Sequence, residues 1–284
     1  MILVTGATGT VGREVARQLA ADHAVRLMSR APHRPAVPGP RVEAVVADFA
    51  DPGSLRAALR GVRAAFLVTS HPAAPHDERF LEAAVAEGVG HVVKLSAAVV
   101  DDDTDDLLTV RQRAMEEAVR GCGAAWTLLR PRAFMSNTLS WAEDIGRDGT
   151  VGALHGTAPN APVDPRDVAR VAVRALTEPG HAGRTYTLAG PEALSAREQA
   201  RVLAEVLGRP LRFREWTADE ARERLALRYP PPVVEALLRR AALGTVGGKA
   251  LRGDPLAPLT GRAPGTYRGW ANDHAHRFPG GRAA

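Results

Sequence analysis

The sequence predicts an α/β protein built on a doubly wound parallel sheet, and two observations carry that reading. Short apolar, β-branched runs alternate strictly with amphipathic segments of helical period as far as Pro131. A glycine-rich turn, Gly6-Ala7-Thr8-Gly9-Thr10-Val11-Gly12, separates the first such run from the first helical segment. Strict alternation implies parallel strands joined by right-handed crossovers, with helices on both faces of one sheet.

The elements follow in order. Residues 1–5 form an apolar strand, and 13–21 a helix with Val15, Ala16 and Leu19 on one face. Strands are predicted at 23–28 and 41–47, then a helix over 54–59 with Ser54 as its N-cap. Residues 64–69 read as a fourth strand, 77–87 as a helix stopped by Gly88, and 91–96 as a fifth strand. A helix over 110–120 ends at Gly121, and a sixth strand over 125–129 is stopped by Arg130-Pro131.

Beyond Pro131 the rhythm changes. Residues 134–144 have helical period and contain Trp141; 164–176 is helical; 184–188 is a strand. Ser195, with Glu198 three places on, opens a helix over 195–207 through a capping box. Helices over 219–227 and 233–240 are separated by Pro230-Pro231-Pro232, and Trp270 lies in a last short helix. We read 1–284 as one domain. A smaller C-terminal lobe, mainly 132–160 and 190–284, covers the open edge of the sheet and the substrate.

Composition excludes several classes. The chain has 284 residues, 45% hydrophobic and 24% charged. A chain of that size buries about 75% of its unfolded surface and needs no disulfide or metal to hold it. Cys122 stands alone, which rules out an intrachain disulfide and a cysteine metal cluster. No apolar run approaches the ~20 residues of a membrane span. No basic-then-apolar leader opens the chain, so a cytoplasmic protein is expected. The net charge is +5, carried by 35 Arg and 2 Lys that are scattered rather than clustered. That usage reads as a GC-rich coding bias, and without a basic helix or aromatic platform no nucleic acid is expected. Asp101-Asp102-Asp103 with Asp105-Asp106 lacks the glycine and terminal glutamate of a calcium loop and reads as a solvated charge run. His71 and His76 read as surface histidines, His274 and His276 have no nearby cysteine or clear carboxylate spacing, and no metal is assigned.

The glycine turn has the context of a dinucleotide site. Gly6 permits the tight turn, Gly9 lets backbone approach a diphosphate, and Gly12 lets helix and strand pack closely. The helix N-terminus then offers unpaired N–H groups to the phosphates. An acidic residue at the end of the second strand would bind the ribose hydroxyls of NAD. This strand ends Leu27-Met28-Ser29-Arg30 instead. Arg30 suits a 2′-phosphate and Ser29 a hydrogen bond to it, which favours NADP(H). Asp48 and Phe49 end the third strand, where an adenine edge would lie; Asp48 as a plain turn residue is the rival reading.

The opening block from Val4 to Gly12 resembles the signature of atypical short-chain dehydrogenase/reductases, in particular the NmrA-like and NAD(P)H:quinone oxidoreductase-like branch. His91-Val92-Val93-Lys94-Leu95-Ser96 and Trp126-Thr127-Leu128-Leu129-Arg130-Pro131 resemble that family's fifth and sixth strands. Val163-Asp164-Pro165-Arg166-Asp167-Val168-Ala169 and Tyr186-Thr187-Leu188-Ala189-Gly190-Pro191 resemble later blocks. The resemblance implies a Rossmann fold in which Gly6, Thr8, Gly9, Thr10, Val11 and Gly12 line the pyrophosphate. It implies Arg30 at the 2′-phosphate, Asp48 and Phe49 at adenine, and Thr69 and Ser70 along the ribose. Lys94 and Ser96 would end the fifth strand near the nicotinamide, and Pro131 to Phe134 would close over it.

One departure decides the chemistry. Short-chain reductases use a tyrosine acid with a lysine four residues on, and none of Tyr186, Tyr229 and Tyr267 has such a lysine. The matching helix reads Val110-Arg111-Gln112-Arg113-Ala114-Met115-Glu116. Two functions follow. The first is an NADPH-dependent reductase of a ketone or quinone carbonyl on a small aromatic, polyketide-like substrate. Its proton would come from water, from Ser96 as the remaining candidate, or from the substrate's own hydroxyl. Phe134, Met135, Trp141 and Trp216 would wall the pocket, with ordinary core packing as the competing role for each. The second is a non-catalytic NADP(H)-binding redox sensor; an isomerase or lyase using the cofactor structurally is a weaker third. The GC-rich background and the lost tyrosine also resemble angucyclinone-type tailoring ketoreductases of antibiotic biosynthesis.

Overall fold

The computed structural model describes residues 1–31, 37–69, 76–102, 104–243 and 253–281. The first half is the alternation that the sequence predicts: β1 (Ile2–Val4), α1 (Thr10–Leu19), β2 (Val25–Ser29), β3 (Val42–Val46) and α2 (Pro52–Leu59). Then come β4 (Ala64–Leu67), α3 (His76–Ala86), β5 (His91–Leu95), α4 (Leu107–Gly121) and β6 (Ala125–Pro131). The second half adds α5 (Ala142–Asp148), β7 (Thr150–Ala153), α6 (Pro165–Thr177), β8 (Arg184–Leu188) and α7 (Ala196–Leu207). It ends with β9 (Arg212–Glu215), α8 (Ala218–Ala226), α9 (Pro231–Leu243), α10 (Leu256–Thr260) and α11 (Tyr267–Asp273).

Seven strands form one sheet in the order β3-β2-β1-β4-β5-β6-β8, and every pairing in it is parallel. Side chains alternate across it. Val4, Phe66, Val93 and Leu129 pack with α1 and α6 on one face. Leu3, Ala65, Leu67, Val92 and Leu128 pack with α2, α3 and α4 on the other. A third apolar cluster joins Met135, Trp141, Ile145 and Val151 to Leu203, Tyr267, Trp270 and Phe278 outside the sheet.

Several local expectations are corrected. The N-cap of α2 is Asp51, whose side chain accepts from the Gly53 N–H with Pro52 in the first turn, rather than Ser54. A proline at the first helical position spends no amide that the helix needs, so it starts the helix earlier. The segment after Phe134 is a 3-10 turn, Met135–Trp141, that passes into α5. Strands β7 and β9 form a second, two-stranded parallel sheet that the sequence reading lacks. The Ser195 capping box is present as expected. Among the described residues, no helix is long and apolar enough to cross a membrane.

Candidate functional site

Strand order reverses between β1 and β4. The chain runs outward from β1 to β2 and β3, then returns to β4 and continues the other way. Crossovers on either side of that point leave a crevice beyond the carboxyl ends of the strands. The glycine turn sits in it. Gly6 has φ 61, the left-handed region that glycine enters freely, and its carbonyl accepts from the Gly9 N–H at 2.8 Å. A methyl on Gly12 would lie 2.7 Å from the Gly6 carbonyl carbon and nearer still to its oxygen. α1 therefore starts hard against β1, with Gly9 as an N-cap that offers no side-chain bond. Its first amides are left for an anion. A dinucleotide diphosphate fits this cradle.

The other residues marked in the sequence fall as follows. Arg30, at the end of β2, is exposed and makes no ion pair among the described residues. Ser29 Oγ donates to the Ala31 carbonyl at 2.7 Å. Asp48 Oδ1 accepts from the Ala50 N–H at 2.8 Å, the turn role held as its rival. Phe49 stacks on His76, ring centres 5.2 Å apart. Thr69 is half-buried, and Ser70 and His71 lie outside the described residues. Pro131 is buried, and half-buried Phe134 bridges to Val163.

Two buried polar networks sit at the carboxyl ends of β4, β5 and β6. Lys94 is 1% exposed, and its Nζ donates to Thr69 Oγ1 at 2.7 Å and pairs with Asp77 Oδ1 at 3.0 Å. Burial pulls the Lys94 pKa down, opposed by the Asp77 charge. Its ammonium thus serves to fix Thr69. Beside it, Ser96 Oγ donates to Glu116 Oε1 at 2.5 Å and accepts from Gln112 Nε2 at 3.2 Å. Arg130 grips Glu116 with Nε at 2.8 Å and Nη2 at 2.5 Å. Glu116 and Arg130 were missed as a pair, since no motif links a helix glutamate to an arginine fourteen residues on in a strand.

The acidic run after β5 is solvated only in part: Asp105 stays exposed, Asp103 lies outside the described residues, and the other three are held by arginines. Asp106 caps α4, and Asp102 and Asp106 both pair with Arg240 of α9, at 3.0 Å and 2.8 Å. Asp101 takes Arg130 at 2.5 Å. The partners come from far along the chain, so the sequence showed only one half of each pair. Met135 and Trp141 belong to the third apolar cluster, and Trp216 packs beside Leu154 and under the Arg224 guanidinium. Tyr186 bonds His181 at 2.9 Å, Tyr267 is buried, and Tyr229 is exposed.

Known proteins resemble this chain in sequence and fold. A family model described as NAD(P)H-binding matches residues 6–179. The chain belongs to that NAD(P)H-binding family. It is 54% identical over 279 residues to (4-alkanoyl-5-oxo-2,5-dihydrofuran-3-yl)methyl phosphate reductase of Streptomyces griseus, covering 98% of this chain and 99% of that one. It is 33% identical to an NAD(P)H azoreductase of Xenophilus azovorans, again over 98% and 99%. Among solved structures, the NADPH complex of the quinone oxidoreductase QOR2 from Escherichia coli matches with a TM-score of 0.78 and 24% identity, covering 95% and 98%. The resemblance to NmrA-like atypical short-chain reductases agrees with these relatives, and the protein is an NAD(P)H-dependent oxidoreductase.

Proposed function

We propose that the protein uses NADPH to reduce a carbon–carbon double bond conjugated to carbonyl groups, in an acyl-substituted dihydrofuranone phosphate. The observation that carries this reading is the 54% identity, over nearly the full length of both chains, to a reductase named for that substrate. Chemistry supports it. In such a ring the double bond is conjugated to the lactone carbonyl and also to the alkanoyl carbonyl. With its diphosphate held in the glycine cradle, NADPH would supply the hydride from its nicotinamide ring. Addition at the ring carbon that bears the phosphomethyl arm leaves charge shared between two carbonyl oxygens. That anion is a far weaker base than an alkoxide, so little is demanded of a general acid. A chain without the tyrosine–lysine pair suits this substrate better than a simple ketone.

In this reading the turn from Gly6 to Gly12 holds the diphosphate, and Arg30 meets the 2′-phosphate, the Ser29 proton being taken by the Ala31 carbonyl. Asp48 and Phe49 flank the adenine, Thr69 follows the ribose, and Pro131 and Phe134 close over the nicotinamide. With its hydroxyl hydrogen-bonded to Glu116, Ser96 orders a water as an acceptor rather than acting as the acid. The lobe of 132–160 and 190–284 covers the substrate. An aromatic carbonyl or quinone is the second substrate class, favoured by the azoreductase and quinone oxidoreductase relatives.

Following NADPH absorbance tests both. The kcat/KM for the acyl-dihydrofuranone phosphate should exceed that for any quinone or aromatic ketone by at least about 100-fold, a difference of roughly 2.7 kcal/mol in transition-state stabilisation. A quinone preferred over the furanone would reverse the assignment. Arg30→Ala is expected to weaken NADPH by about 1.5–3 kcal/mol, the scale of a hydrogen bond to a charged group, and to leave NADH nearly unchanged. Fluorescence titration of both cofactors checks this; equal losses would remove Arg30 from the 2′-phosphate.

A further inference from the structure

Arg132 follows Pro131 directly at the carboxyl end of β6, and its backbone N–H donates to the Leu188 carbonyl at 3.0 Å. Its side chain is only 9% exposed. Such a guanidinium normally has all its donors engaged. Here Nη1 reaches Asp102 Oδ1 at 3.5 Å, while the buried Nε has no hydrogen-bond partner. Asp102 is a poor counter-ion for it, because its other oxygen is nearer to Arg240 Nη1, at 3.0 Å. Arg240 in turn binds Asp106 and Thr109. Of the other described carboxylates of this loop, Asp101 is taken by Arg130 at 2.5 Å and exposed Asp105 faces Arg113 at 3.4 Å. Arg132 is thus a buried cation with one long ion pair and an unused edge. Arg111 and Arg209 also carry an unpartnered Nε, but they lie on α4 and beyond α7, not at a strand end of the crevice.

We infer that Arg132 anchors the phosphate of the substrate, its Nε and Nη2 edge taking two phosphate oxygens side by side. A planar fork suits a phosphate monoester better than a lone carbonyl does. Arg240 supports the site from α9 by holding Asp102 and so keeping that carboxylate from closing on Arg132. The assignment rests on the reductase reading above and adds to it the residue that selects a phosphorylated substrate.

Two measurements test it on the NADP⁺-saturated protein. Methyl phosphate is titrated first and followed by ³¹P NMR. The wild type should bind it saturably, Arg132→Gln at least tenfold more weakly, and Arg132→Lys in between, since lysine keeps the charge and loses the fork. No saturable binding by the wild type, or equal binding by wild type and R132Q, overturns the site. The second measurement is the ratio of kcat/KM for the furanone phosphate to that for its dephosphorylated alcohol. R132Q should lower that ratio at least 30-fold. Equal losses on both substrates would mean a structural role or a contact to the carbonyls, and would also overturn the assignment. If R132Q does not fold, R132K carries both tests with smaller changes. Methyl phosphate needs no turnover, so a wild type that binds it yet reduces neither furanone would sink the substrate reading and leave the anion site standing.

Discussion

Gly12→Ala should weaken NAD(P)H binding at least 100-fold and lower the melting temperature of the protein. The added methyl would meet the Gly6 carbonyl, with its carbon at 2.7 Å, and the Thr5 carbonyl oxygen at 3.0 Å. These are backbone atoms of β1 and the turn, and no side chain is there to swing aside. Either α1 lifts from the sheet or the turn opens. Val11, Val15, Ala16 and Leu19 of α1 are all in the core, so lifting the helix exposes a good part of one face. Overpacking of this kind costs about 3 kcal/mol, which in a protein of this size lowers Tm by roughly 6–12 °C. The cofactor effect is at least comparable, because the diphosphate needs both the open turn and the amides of α1. Calorimetric titration should show at least a 100-fold weaker NADPH, equivalent to about 2.7 kcal/mol. Near-wild-type affinity in Gly12→Ala would mean that the diphosphate lies elsewhere.

The parts of this fold that sequence made legible are those written in short-range patterns. Gly12 could be assigned its packing role because a strand, a tight turn and a helix are all spelled within the first twenty residues. Ser195 and Glu198 announce a cap because both partners lie in one helical turn. The central strands β1 and β4 are buried on both faces and read as unbroken apolar runs. What sequence hides is pairing at distance. Asp102 and Arg240 are 138 residues apart, and only the fold makes a buried cluster of what looks like a solvated acidic run. Strands β7 and β9 were invisible for a related reason. Each has four residues, β9 reads Arg-Phe-Arg-Glu, and their pairing joins Thr150 to Arg212, about sixty residues on. Met135 and Trp141 show the converse limit. An apolar residue announces that it will be covered but not by what, and here the cover is α7, α11 and Phe278. Arg132 entered the sequence reading only inside the Pro131-to-Phe134 segment set over the nicotinamide, since its own interest lies in the partner that its Nε lacks among the described residues.

Glu116→Gln should cost about 3 kcal/mol of stability at neutral pH, the low end for breaking a buried ion pair. Glu116 is wholly buried, and it accepts from Ser96, from two nitrogens of Arg130 and from Arg120. Glutamine fills the same volume but offers one oxygen and no charge, and its amide nitrogen would face guanidinium donors. Burial alone would raise the Glu116 pKa, but the hydrogen bonds from Arg130 and Ser96 and the charges of Arg130 and Arg120 outweigh it and hold the carboxyl below its ordinary 4.5. The sign of the pH effect follows from that depression. The unfolded chain takes up a proton at higher pH than the folded one does, so the stabilisation is complete above the unfolded value. It is lost as pH falls through and below about 4.5 towards the folded pKa. Urea midpoints measured from pH 7 down to pH 3 should therefore converge for wild type and Glu116→Gln at the acid end. A gap that stays constant over that range would show that the ionised carboxylate is not what holds Arg130 and Ser96 in place. The same substitution releases the Ser96 proton from its acceptor. A change in the pH dependence of kcat beyond the fall in folded fraction would tie this network to the water that Ser96 is proposed to order; Glu116→Asp, which keeps the charge, should restore part of the wild-type profile.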